Sequence, residues 1–226
     1  MTATAAESAA ESAAAAGPRS PGRRERKKQR TRDALVDAAF ARFAEKGFDA
    51  TTVEEIAEAV DVSSRTFFRY FASKEDVALT FQEEQTRAVM AKLRERPADE
   101  PIMTALRHTV VSITRACERG ELGFDPDRFE VLQRMMQESP ALMAGSLEHA
   151  QQKQALITEV VAERLGLDPA RELLPHVVAA NAMCGLQAAA AAVHRHPETF
   201  TSLSETTDRA FALLEHGLGE SARDQR

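Results

Sequence analysis

Eight of the chain's 29 basic residues fall between Arg19 and Arg32: Arg19, Arg23, Arg24, Arg26, Lys27, Lys28, Arg30 and Arg32. So dense a run is the electrostatic footprint of contact with a polyanion, either a nucleic acid or an anionic surface; a solvated tail that only aids solubility is the alternative. A second set of donors, Ser64, Arg65, Thr66 and Arg69, is spaced so that one short helix, capped by Ser63, can present it on an outward face while Val62, Phe67 and Phe71 turn inward. Hydroxyls and guanidinium forks in that arrangement suit phosphates and base edges. Other chemistries leave no comparable trace. The six histidines form no HExxH-type pair, and there is no P-loop, no GxGxxG after a strand and no GxSxG elbow. Cys117 and Cys184 lie far apart without a CxxC partner, so neither a disulfide framework nor a zinc site is suggested, and no cofactor is implied.

The elements that must position these groups can be read from apolar spacing and caps. The chain has 43% hydrophobic and 28% charged residues, which excludes wholesale disorder; no Trp, one Tyr and few Gly and Pro favour an all-α fold. Residues 1–22, an Ala/Ser/Glu segment closed by Gly17-Pro18 and Pro21-Gly22, read as a disordered tail. From about Arg24 to Lys46 the residues Leu35, Val36, Ala39, Phe40 and Phe43 recur on one helical face, and Gly47 stops that helix. Thr51 or Thr52 opens a second helix with a glutamate three residues on, Ser63 opens a third after the corner at Val60-Asp61-Val62, and Ser73 opens a fourth. Two short helices joined by a tight corner after a longer supporting helix make a helix-turn-helix, whose second short helix enters the DNA major groove.

The run Phe48-Asp49-Ala50-Thr51-Thr52-Val53-Glu54-Glu55-Ile56-Ala57, followed by Val62-Ser63-Ser64-Arg65-Thr66-Phe67-Phe68-Arg69-Tyr70-Phe71-Ala72-Ser73-Lys74-Glu75-Asp76, resembles the DNA-binding domain of TetR-type transcriptional regulators. The resemblance covers residues 27–80. It implies that Thr51 or Thr52, Thr66, Tyr70 and Lys74 bind phosphates, with Ser64, Arg65 and Phe68 near base edges; Ser63 and Arg69 join the candidate DNA-binding residues on their own chemistry. Arg23 and Arg24, on the extension ahead of the motif, would add non-specific affinity. Two positions depart from the family's pattern. Asp61 stands where glycine is usual in the corner, and aspartate tolerates the left-handed conformation better than most residues. Arg65 stands where glycine is frequent in the third helix, and adds a fork suited to guanine O6 and N7.

Beyond residue 80 the chain turns acidic, with 22 acidic against 16 basic residues. Amphipathic stretches at about Ile102 to Glu118, Asp127 to Glu138, Pro140 to Leu165, Ala170 to His194 and Phe200 to Leu218 give roughly nine helices in all. The expected division is a DNA-binding domain over 23–80 and a helical bundle over 81–226. The resemblance implies that the bundle holds an effector cavity and a two-fold dimer face made by the last two long helices. For the cavity the soft and aromatic residues are the candidates: Met103, Leu106, Val110, Cys117, Phe124 and Phe129, then Leu132, Met135, Met136, Leu142 and Met143. His108, Arg115, Arg128 and Arg134 are candidate anchors for an anionic head group. For the dimer face they are Ala188, Ala189 and Ala192, small enough for close helix approach, with Leu203, Ala210, Phe211, Leu214 and Leu218; a purely intramolecular core explains both sets equally well.

The resulting expectation is a homodimeric, ligand-responsive regulator, a repressor, bound to a near-palindromic duplex DNA operator and released by a small apolar effector. A helical enzyme and a basic-arm protein for RNA or membrane surfaces are the competing classes. The apolar stretch Val177 to Val193 is short and alanine-rich, reading as a buried helix rather than a membrane span, and the N-terminus has no secretory pattern, so a cytoplasmic protein without a membrane partner is expected.

Overall fold

The computed structural model describes residues 22–217. Among these, nine helices follow one another: α1 (Arg23–Lys46), α2 (Val53–Glu58), α3 (Ser64–Phe67), α4 (Lys74–Glu95), α5 (Ile102–Arg119), α6 (Pro126–Glu138), α7 (Pro140–Leu165), α8 (Leu174–Arg195) and α9 (Leu203–His216). The expected disordered tail up to residue 21, with Arg19, and the dimer candidate Leu218 lie outside the described residues, while Gly22 is the extended residue that precedes α1.

Local signals set most boundaries. Gly47 ends α1 at a φ of 85°, and its N–H reaches back to the Phe43 carbonyl. Thr52 and Glu55 close a reciprocal capping box on α2. Asp61 adopts the left-handed φ of 55° foreseen for it, while Val62 N–H donates to the Ala57 carbonyl at 3.0 Å and turns the chain sharply into α3. Ser63, Ser73, Asp125, Ser139 and Ser202 cap α3, α4, α6, α7 and α9 through their side chains. Two expected boundaries move. α8 begins at Leu174, because Asp168 holds residues 168–172 in a turn and Pro175 suits the first turn of a helix. α9 begins at Leu203 rather than at Phe200, because Ser202 supplies the cap.

The helix-turn-helix closes around the fully buried Leu35, Ile56 and Phe67, joined by Phe43, Phe48 and Phe71. α4 leaves this cluster and runs on into the bundle, so the expected boundary at residue 80 falls inside one continuous helix. In the bundle, α9 lies against both α5 and α8. Arg107 on α5 binds Asp208 and Glu215 on α9, each at 2.8 Å, and Glu118 receives hydrogen bonds from Ser202 and Ser204. Gly185 lets α8 and α9 approach closely, since a Cβ there would stand 3.0 Å from Leu214 Cδ1 and 3.3 Å from Phe211.

Candidate nucleic-acid interface and ligand cavity

The outer face of α3 is built by its cap and its buried ring. Ser63 Oγ accepts from Thr66 N–H at 3.2 Å, and Phe67 is fully buried, which turns Arg65, Phe68 and Arg69 to solvent. Phe68 is 55% exposed, a large apolar cost in water that contact with a thymine methyl would relieve. The Arg69 guanidinium lies 5.2 Å over the Tyr70 ring and donates to its hydroxyl at 3.4 Å. That hydrogen bond, assisted by Thr31 and the charge of Lys28 on α1, lowers the Tyr70 pKa.

Arg23 and Arg24 are helical, in the first turn of α1, which corrects their expected place on a flexible extension. Every residue from Arg23 to Arg30 is exposed, so the two turns stand clear of the core as a basic rod. Gln29 bonding to Asp33 and Thr31 bonding to the Lys27 carbonyl support helix this far out.

Two expected phosphate contacts are corrected. Thr51 is buried, its hydroxyl donating to the Gly47 carbonyl at 2.8 Å; Thr52 is the exposed member of the pair. Lys74 turns inward as well. Its ammonium donates to the carbonyls of Phe48 at 2.9 Å, Thr51 at 3.0 Å and Asp49 at 3.3 Å, and lies 4.4 Å from the centre of the Phe48 ring. All three donors are thus occupied in pinning the α1–α2 loop to the start of α4. Glu55 is held down to a pKa of about 2, first by its hydrogen bond from Lys46 and then by Thr52, so it stays ionised against the N-terminal end of α2.

In the bundle a cavity of about 630 Å³ opens among α4, α5, α6, α7 and α8, with Leu203 at the start of α9 also on its border. Of the expected lining, Leu106, Val110, Phe129, Met136 and Met143 border it. Six others do not, and packing explains each. Cys117, Leu132, Met135 and Leu142 are buried in the core shared with the helix-turn-helix, Phe124 stacks 5.8 Å from Phe81, and Met103 packs into the second apolar cluster. The expected anchors His108, Arg115, Arg128 and Arg134 are also off the cavity; His108 binds Glu100 and Arg128 binds Asp37. The polar lining that the sequence reading missed is amide and cationic: Gln82 and Gln85 on α4, Gln133 and Gln137 on α6, Gln187 on α8 and Lys153 on α7. Their signal was the stripe Gln82, Gln85, Thr86 and Val89, at helical spacing on one face of α4.

Of the dimer candidates, Ala189, Leu203 and Phe211 are buried inside the protomer, a correction that follows from the close α8–α9 approach. Ala188 is exposed, while Ala192, Ala210 and Leu214 are half-buried.

Residues 35–80 match the model of bacterial regulatory proteins of the tetR family, and residues 100–219 match that of the MftR C-terminal domain. The HTH-type transcriptional regulator TcmR of Streptomyces glaucescens is 38% identical over 161 residues, spanning 71% of each chain. The chain belongs to the TetR family. It is a DNA-binding transcriptional regulator and not an enzyme. Its fold is also that of NalD from Pseudomonas aeruginosa, at a TM-score of 0.57 and 16% identity over 85% of this chain and 97% of that one. Thermus thermophilus FadR, solved in complex with lauroyl-CoA, superposes at 0.54 with 22% identity over 81% and 92% of the two chains.

Proposed function

We propose that this TetR-family protein is a homodimeric repressor that binds an inverted-repeat DNA operator and releases it when an effector with an apolar body fills the cavity. The observation that carries the reading is the path of α4. Its first residue, Lys74, holds the α1–α2 loop, and its middle, Gln82 to Met90, forms one wall of the cavity. A ligand that moves this wall moves the base of the helix-turn-helix with it. A second path joins the same two places. Ser139, between the cavity-lining α6 and α7, donates to Asp49 in the α1–α2 loop at 2.6 Å, and Arg128 on α6 binds Asp37 on α1. An effector that prefers one arrangement of these ties shifts the population of the two states by its difference in affinity.

Within each protomer, Ser64, Arg65 and Phe68 read bases, while Thr52, Thr66, Tyr70, Arg69 and the rod from Arg23 to Lys28 follow phosphates. The two-fold partner is a second copy on α8. Val177, Asn181, Cys184 and Ala188 form one exposed face of that helix, with Leu173, Leu174 and Leu213 also exposed. The most apolar window of α8 is only 28% buried, and in a DNA-binding regulator a second copy covers such a face better than lipid does. On this reading residues 23–80 are the DNA-binding unit, the rest of the chain is the ligand-binding and dimerising unit, and the protein acts in the cytoplasm.

Selection of bound sites from a random duplex pool tests the proposal. The expected result is an inverted repeat whose half-sites are centred one helical turn, about 34 Å, or a multiple of it apart. Recovery of a single unrepeated site would remove the two-fold arrangement. Equal retention of all duplexes would return the basic-arm class to favour.

A further inference from the structure

The cavity is one-sided in charge. Lys153, His194 and Arg195 border it, whereas among the described residues no Asp or Glu does. Elsewhere in the bundle the cations near the interior are matched by carboxylates: Arg107 by Asp208 and Glu215, and Arg96 by Glu100. Lys153 has no such match. Its ammonium donates to the uncharged Gln82 Oε1 at 3.3 Å, and among the described residues it makes no ion pair. Glu83 borders a neighbouring cleft that Lys153 also touches, but it is exposed and does not pair with the lysine. Burial accordingly lowers the Lys153 pKa, the response of an ammonium that has lost water without gaining a counter-charge.

An ammonium desolvated at the border of an apolar-walled cavity costs folding free energy that a hydrocarbon side chain there would not. A bound anion recovers that cost, because it brings the missing counter-charge into a low-dielectric site where the attraction is strong. The apolar wall of Met90, Leu106, Val110, Ile157 and Leu186 fixes the rest of the ligand's character. The glutamines, each able to donate and accept, suit further carbonyl or hydroxyl oxygens on its body. Given the reading of this cavity as the effector site, we propose that the effector is an amphipathic anion, its acidic group (a carboxylate, phenolate or sulfonate) bound to Lys153 and its apolar body in the α4–α8 cavity.

Two fluorescent probes with the same aromatic body separate charge from shape: 1-anilinonaphthalene-8-sulfonate and its uncharged analogue N-phenyl-1-naphthylamine. Both are titrated into the full chain and into Lys153→Met, Lys153→Arg and Ala190→Phe, each first checked for a native helical spectrum. The sulfonate is expected to bind the unmodified protein about tenfold or more tighter than the neutral probe, the size of one charge-assisted hydrogen bond. Lys153→Met should erase that preference while leaving the neutral probe's affinity within about twofold, and Lys153→Arg should retain it. Equal affinities in the unmodified protein, or a preference that survives Lys153→Met, would overturn the anion assignment alone. Ala190→Phe, which fills the cavity, should weaken both probes. If both bind it undiminished, they sit elsewhere, and the cavity reading falls together with the assignment.

Discussion

Seven of the chain's 12 aromatic residues lie in the helix-turn-helix region, between Phe40 and Phe71, whereas all six methionines of the described residues lie beyond residue 80. In the first region the rings interlock: Phe43 meets Phe48 at 5.2 Å, Phe67 meets Phe71 at 5.6 Å, and the Arg32 guanidinium closes over Phe71 at 5.0 Å. Rings with two side-chain torsions and fixed edges give one arrangement. In the second region the cavity wall mixes Met90, Met136, Met143 and Met183 with glutamines, side chains that re-pack at little cost. The contrast teaches where a signal is able to arise. The interlocked rings favour a head of fixed shape and the methionine-lined cavity a body that re-packs; on the proposed function, ligand binding would then act on the placement of the head through α4 and Ser139.

The contrast is broken most directly by truncation on each side. Phe67→Ala empties the centre of the head, where the ring is fully buried, and should cost about 3–5 kcal/mol of stability in urea unfolding. Met136→Ala widens an existing cavity from a half-buried position and should cost less than about 2 kcal/mol. Comparable losses would mean that the two regions are equally tightly packed. Next in size is Lys74→Met. Removing an ammonium from three carbonyls should cost about 1.5–3 kcal/mol of stability while leaving the salt slope of DNA binding unchanged. A slope reduced by about one would restore the lysine to the phosphate contacts that the family resemblance implied.

Arg65→Ala probes the other face of the same head. Its guanidinium is exposed and makes no ion pair among the described residues, so folding should be untouched. Affinity for the preferred site should fall by about 1–3 kcal/mol, with choice relaxed at one base pair per half-site. A loss equal on every duplex would make Arg65 a phosphate contact. Smaller again is Ser139→Ala, which removes one tie between body and head together with the side-chain cap of α7. Operator affinity without ligand should change little, while the free-energy coupling between ligand and DNA should shrink by about 0.5–1.5 kcal/mol, measured by titrating DNA with and without ligand.

How far each region could be read from sequence follows the same contrast. In the head, the determinants are local: Thr52 to Glu55, Ser63 to Thr66 and Ser73 to Asp76 are each complete within four residues, and the Asp61 corner needs only its own φ. Lys74 escaped because its partners lie 23 to 26 residues away, in a loop whose carbonyls leave no mark on the sequence. In the body, the helices and their caps were visible, but the lining of the cavity depends on how five helices rotate against one another. Leu132 and Met136 share a helix and an apolar character, yet one is fully buried in the core and the other faces the cavity. Glutamines leave a weaker mark on the sequence than methionines or cations, because an uncharged amide is as common on a solvated helix face as beside a cavity.

The smallest effect is a pH dependence with one probe in each region. Glu55 in the head and Glu100 in the body are both held down to a pKa of about 2, the first chiefly by Lys46 and the second by Arg96, with His108 adding to it. Because the folded-state value lies below the ordinary 4.5, each carboxylate stabilises the fold above that value and loses its contribution as pH falls from about 4.5 through about 2. The Glu55 side chain is 41% exposed and the Glu100 side chain 12%, so screening weakens the first effect more than the second. Thermal unfolding between pH 6 and pH 3, followed with 0.1 M and 0.5 M salt, should show a shallower acid decline for Glu55→Gln and for Glu100→Gln than for the unmodified chain, with the difference shrinking at the higher salt. If head and body are stabilised independently, the two substitutions should add in the double variant. Non-additivity would show that acid loosens the two regions as one unit, and that the rigid head draws part of its order from the adaptable body beneath it.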